Sequence, residues 1–160
     1  NALTRLVVGS NTIRAIQQLT YPILVIPPKA EFSPVRKILF ACDYEKMHDS
    51  TPVEPLKKMV LDFNSELVVL NVVFSNSGAS PEKLEKGRYI VELLKDLKPN
   101  YQTILTGDVV EGINSFAENE KVDWIAMIPK KHNLTEQLFS RSTTKELLHH
   151  IHVPVLCMHE

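Results

Sequence analysis

Net charge, cysteine and long apolar runs are all scarce in this 160-residue chain. Lysine plus arginine is 18 and aspartate plus glutamate is 19, giving a net charge of -1. Such a balance creates no field to gather nucleic acid or acidic lipid, so neither is an expected partner. No apolar stretch reaches about 18 residues, the length that suggests a membrane span. The start lacks a cleavage pattern after an apolar core, so no signal peptide is expected. The chain opens on Asn1 rather than methionine, which fits a fragment or added leading residues. The two cysteines, Cys42 and Cys157, lie inside apolar runs. They read as buried thiols of a reducing compartment, not as a disulfide framework. A soluble, cytoplasmic protein is the expectation.

What the chain does have is an α/β rhythm. Apolar residues make up 44% and charged residues 23%, enough to bury one domain core. The organising stretch is VRKILFACD, Val35 to Asp43, whose Ile38–Cys42 run reads as a strand buried on both faces. Asp43 then falls at the strand's carboxyl end, where parallel sheets bind ligands. Behind it the pattern predicts a helix from the 49–55 region, with Val53, Leu56, Val60 and Phe63 inward. A strand follows over Leu67–Phe74. The next helix starts at Ser80-Pro81 and runs to about Leu97, with Leu84, Val91, Leu94 and Leu97 inward. Tyr101–Leu105 is the third strand. Asp108 with Glu111 fits a capping box for a helix facing Val109, Ile113 and Phe116 inward. Asp123–Ile128 is the fourth strand. Pro129–Thr135 is a basic loop, with a short helical piece around Glu136–Phe139. A helix from Ser142 to about His150 and a strand over Val153–Met158 end the chain.

The two ends repeat each other. Gly9-Ser10 precedes Pro22-Ile23-Leu24-Val25-Ile26 as Arg141-Ser142 precedes Pro154-Val155-Leu156-Cys157-Met158, with serine and proline 12 apart in both. Ser10 or Asn11 caps a helix to about Leu19, with Ile13, Ile16 and Leu19 on one face. Residues 1–28 therefore read as the terminal helix and strand of a preceding, similar domain. Residues 29–34 are a linker, and 35–160 a complete domain. The last strand would be an apolar sheet edge needing cover. Ile23–Ile26, or the same strand of a second chain, would supply it, so a homodimer through terminal strands is expected.

Together, ILFACD, LVVLNVV, Gly107 after the third strand, Asp123 opening the fourth and the ending SxxxxLLxxxxxPVL resemble the universal stress protein family over residues 35–160. Residues 3–27 resemble the tail of another such domain, so the whole is similar to the second half of a tandem member. The resemblance implies a doubly wound, Rossmann-like parallel sheet of five strands in the order 3-2-1-4-5, the adenine nucleotide alpha hydrolase-like fold. It also implies domain pairing through last strands. Many members bind ATP with a loop of three glycines followed by serine or threonine. Aligned on Ser142, those glycine positions hold Ile128, Lys131 and Arg141. Glycine lets backbone amides approach phosphate closely, and β-branched Ile128 does not.

Three readings follow. The first is a non-catalytic stress-response domain, acting in dimerisation or regulation, with a degenerate ATP loop and no cofactor. The second is an ATP-binding regulator. The resemblance places Asp43 at the adenosine end, Val72 near adenine and Ser142 near phosphate. Gly107 joins them as a position needing an unusual backbone angle or close packing. Lys131 and Arg141 would replace the amide contacts. The third is a weak nucleotide-hydrolysing enzyme using Asp43 and Asp108. Lys130, Lys131, His132 and Arg141 form a basic cluster that reads first as a solvated loop. His149 and His150 are helix neighbours that point apart, so a shared metal ion is not expected.

Overall fold

The computed structural model describes residues 10–28, 30–44, 47, 51–74, 81–129 and 140–159. The elements, in chain order, are α1 (Ser10–Gln18), β1 (Ile23–Val25), β2 (Lys37–Cys42), α2 (Glu54–Phe63), β3 (Glu66–Phe74) and α3 (Pro81–Leu94). Then follow a 3-10 turn (Lys95–Leu97), β4 (Asn100–Thr106), α4 (Val109–Asn119), β5 (Trp124–Met127), α5 (Arg141–His150) and β6 (Val155–Cys157).

One six-stranded sheet runs β1-β6-β5-β2-β3-β4. The five strands from β2 onward are parallel and take the expected order, with β2 at the centre. Ile38 to Cys42 is buried throughout, because helices cover both faces of the sheet. Leu39 and Ala41 join the layer beneath α1, α4 and α5, while Ile38, Phe40 and Cys42 join the layer beneath α2 and α3. β4 lies at the free edge and reads half-exposed along its length, which is why its sequence, NYQTILT, is the most polar of the strands.

Of the two covers expected for the last strand, β6 takes the one from its own chain. β1 pairs with it antiparallel, Leu24 opposite Leu156, Ile23 opposite Cys157 and Val25 opposite Val155. In the sequence repeat Leu24 stands where Leu156 stands, Ile23 where Val155 does and Val25 where Cys157 does. The ladder therefore has a local two-fold arrangement centred on Leu24 and Leu156. A homodimer through β6 would first have to displace β1.

Several local expectations change. α1 buries Ile13 and Ile16, but Leu19 lies just past its end and is 47% exposed. In α3 the inward residue is Ile90 rather than Val91, which is 45% exposed, because Ile90 and Leu94 share a face at a spacing of four. The side chain of Leu84 is not described, and the piece around Glu136–Phe139 lies outside the described residues. α2 starts at Glu54, and Phe63 is partly exposed with its ring edge-on to Trp124 at 5.2 Å. Asp108 caps α4 by accepting from the Val110 and Glu111 amides. The return contact of a capping box is taken instead by Thr106, whose Oγ1 accepts the Asp108 amide at 3.0 Å.

The amino end of the sheet is fastened by Asp123. Its carboxylate accepts the backbone amides of Arg36 and Lys37, both at 2.8 Å, while the Asp123 amide donates to the Lys37 carbonyl at 2.9 Å. Lys37 Nζ reaches Glu120 at 3.1 Å beside it.

Candidate functional site

The chain leaves β2 to build β3 and β4 on one side, then crosses back to build β5 and β6 on the other. The carboxyl ends of β2 and β5 flank this switch point, where open α/β sheets bind ligands. Asp43 follows β2 there, and Ile128 and Pro129 follow β5. α5 opens at the residue after Ser140.

Asp43 is half-buried. It lies close enough to Cys42 that its charge adds to burial, the larger cause, in pushing the Cys42 thiol pKa far up. Cys157, in β6, is raised to about 12 by burial alone. Both thiols are therefore protonated and inert as nucleophiles at neutral pH, consistent with packing roles.

Val72 lies in β3 next to β2 and is 1% exposed, packed in the layer beneath α4 and α5. It is a core residue whatever else it touches. Ile128 and Pro129 are buried, so the place of the first family glycine is an apolar floor. Lys130, Lys131 and His132 lie outside the described residues, as does the side chain of Arg141.

Ser142 does not cap α5. Ser140 does: its Oγ accepts the Thr143 amide at 3.2 Å and lies 2.9 Å from the Ser142 hydroxyl and 3.0 Å from that of Thr143. Ser142 sits in the first turn and is exposed. The signal was readable, since Ser140 precedes a helical run at a standard cap position.

Gly107 stands apart from β2 and β5, on the far side of the strand that carries Val72. It follows β4, two strands from β2 and three from β5, roughly 10 and 15 Å away at sheet spacing. Its expected unusual backbone is also absent. Gly107 has no positive φ, and a Cβ built there meets nothing within 4 Å. Gly107→Ala is accordingly expected to change stability by no more than about 0.5 kcal/mol, or to stabilise slightly by restricting the unfolded chain. Paired urea melts check this, and a loss above about 1 kcal/mol would show a constraint on Gly107 that the geometry lacks.

Sequence reasoning missed a polar group beneath α3. Asn71, the one polar residue between Leu67 and Phe74, accepts the Tyr44 amide on Oδ1 at 3.1 Å. The hydroxyls of Tyr44 and Tyr101 are buried, with no hydrogen-bond partner among the described residues. Burial is the main cause that raises both phenol pKa values, with the charge of a Cys42 thiolate a lesser one.

The family model described as "Universal stress protein family" matches residues 34–159. No curated protein matches the chain. Among solved structures, a universal stress protein from Archaeoglobus fulgidus superposes with a TM-score of 0.67 at 19% identity, covering 92% of this chain and 53% of that one. The chain thus spans about half the length of that relative. A universal stress protein family member from Burkholderia pseudomallei gives 0.55 at 20% identity, covering 80% of this chain and 98% of its own. The Archaeoglobus fulgidus universal stress protein solved in complex with dAMP gives 0.53 at 14% identity, covering 78% and 98%. With the parallel sheet, its strand order and the family match in agreement, the chain belongs to the universal stress protein family.

Proposed function

We propose that residues 35–160 form a non-catalytic stress-response domain that acts in dimerisation or regulation and carries a degenerate ATP loop. The observation that carries this reading is the buried Ile128-Pro129 step at the end of β5. A phosphate cradle needs bare backbone amides there, and this chain has apolar side chains folded into the core. An enzymatic role is disfavoured because Asp108, one of the two acids named for it, already caps α4 through two amides. The two protonated, buried thiols support a reducing, cytoplasmic setting.

Residues 1–28 act as the terminal helix and strand of a preceding, similar domain. The local two-fold of the β1–β6 ladder supports this, since Leu24 pairs with its repeat counterpart Leu156 and the flanking residues exchange counterparts about that pair. With β6 covered in this way, a homodimer on this side of the sheet would form along the outer edge of β1.

A second reading, a nucleotide-binding regulator, is favoured by the place of Asp43 at the switch point. Relatives of this fold have been solved with cAMP and with dAMP, ligands that need no triphosphate cradle. Calorimetric titration of magnesium-ATP and of AMP decides between the two. The first reading expects no binding of either up to the millimolar range. Binding that Asp43→Ala weakens about tenfold, the size of one lost charge-assisted hydrogen bond, would replace it with the second.

A further inference from the structure

We propose that Asn71, Tyr44 and Gly87 form a latch that fixes Asp43 at the candidate site and couples it to α3 on one face of the sheet. The inference deepens the nucleotide-binding reading, and rests on it only for what Asp43 would touch.

Asp43 is the first residue past β2, where the ladder to β3 ends at Cys42 opposite Asn71. A chain leaving a sheet loses its ladder hydrogen bonds and is held only by what replaces them. Here one replacement is a side chain. Asn71 Oδ1 accepts the amide of Tyr44, one residue beyond Asp43. Asp43 is therefore bracketed by two anchors, the buried Cys42 and the tethered Tyr44. The Tyr44 hydroxyl has no hydrogen-bond partner among the described residues. What holds the residue is its amide, its ring and its carbonyl, which accepts the Met47 amide at 3.3 Å. The ring packs with the layer beneath α2 and α3 and lies against Gly87 of α3. A Cβ on Gly87 would stand 3.2 Å from Tyr44 Cδ2, so glycine is what lets helix and ring approach this closely. Gly87 has no positive φ, so packing rather than backbone freedom explains it. An asparagine inside LVVLNVV and a glycine inside α3 are each unfavourable for their own element. One residue, Tyr44, accounts for both, through its amide and its ring.

Two variants test the latch without needing a ligand. Asn71→Leu removes the acceptor at similar size and is expected to speed amide exchange at Tyr44 at least about tenfold, while Asn71→Asp keeps an acceptor and restores protection. Gly87→Ala favours the helix intrinsically. It is expected to shift the Asp43 and Tyr44 amide resonances while the melting temperature holds or rises. Unchanged exchange in Asn71→Leu, or unmoved resonances in Gly87→Ala, overturns the latch. AMP titration separates the two proposals. If the wild-type chain binds no AMP, the nucleotide reading fails and the exchange data alone judge the latch. If it binds, Asn71→Leu is expected to weaken binding about tenfold with Asn71→Asp restoring it. Equal affinity in all three overturns the coupling of the latch to the site.

Discussion

Phe40→Ala is expected to destabilise the domain by about 3–5 kcal/mol, the usual cost of emptying a fully buried aromatic site. Phe40 is completely buried at the middle of the central strand, in the layer beneath α2 and α3. Its strand is paired on both sides, opposite Val69 in β3 and Ala126 in β5. Neither neighbour can move in to fill the space without breaking a ladder, so most of the cavity should persist. Against a total stability of about 5–15 kcal/mol, such a loss leaves little margin. Chemical melts of the two proteins measure it, read as a fall in midpoint at unchanged slope. A loss below about 1.5 kcal/mol would mean that the α2–α3 layer collapses onto the gap more freely than its packing suggests.

Removing residues 1–28 is the second large change. Ile13 and Ile16 bury their side chains against the layer that contains Leu147, Leu148 and Ile151, and Ile23 and Val25 pack beside them. Returning the first two alone to water forgoes about 3–6 kcal/mol of apolar burial. The shortened chain also bares the edge of β6, three consecutive buried apolar residues with unpaired backbone groups. Exposed edges of this kind recruit another strand. The expected result is a lower melting temperature together with concentration-dependent association, read by light scattering across a dilution series. Reduced stability without association would mean that β6 is protected by something other than β1.

Much of this was legible in the sequence. The ILFACD run announced a doubly covered central strand because burial on both faces removes polar alternation. The apolar run at Ile23–Ile26 was read as a cover for the last strand, and the sheet pairs Ile23–Val25 with Val155–Cys157. What failed did so for local reasons. Val91 and Ile90 are adjacent apolar residues in a helix, and composition cannot say which one the neighbouring sheet will meet. Ser142 drew attention through the family pattern, while the actual cap, Ser140, lay two residues earlier. Gly107 invited a special backbone because glycine after a strand often needs one, yet here it has open space. The Asn71–Tyr44 contact joins residues 27 apart through a sheet register that no local pattern reveals.

The Asp123 carboxylate has a consequence for how this domain can move. It ties β2 to the start of β5 at the end of the sheet opposite Asp43 and Ile128. The ladder between the two strands runs from Ile38 opposite Trp124 to Phe40 opposite Ala126, and among the described residues no such carboxylate clamp is seen past its other end. Small openings between β2 and β5 would then be hinged at Arg36 and Lys37 and widest at the switch point. Anything that enters there, whether solvent, nucleotide or a partner's side chain, would meet the domain where separation costs the fewest hydrogen bonds.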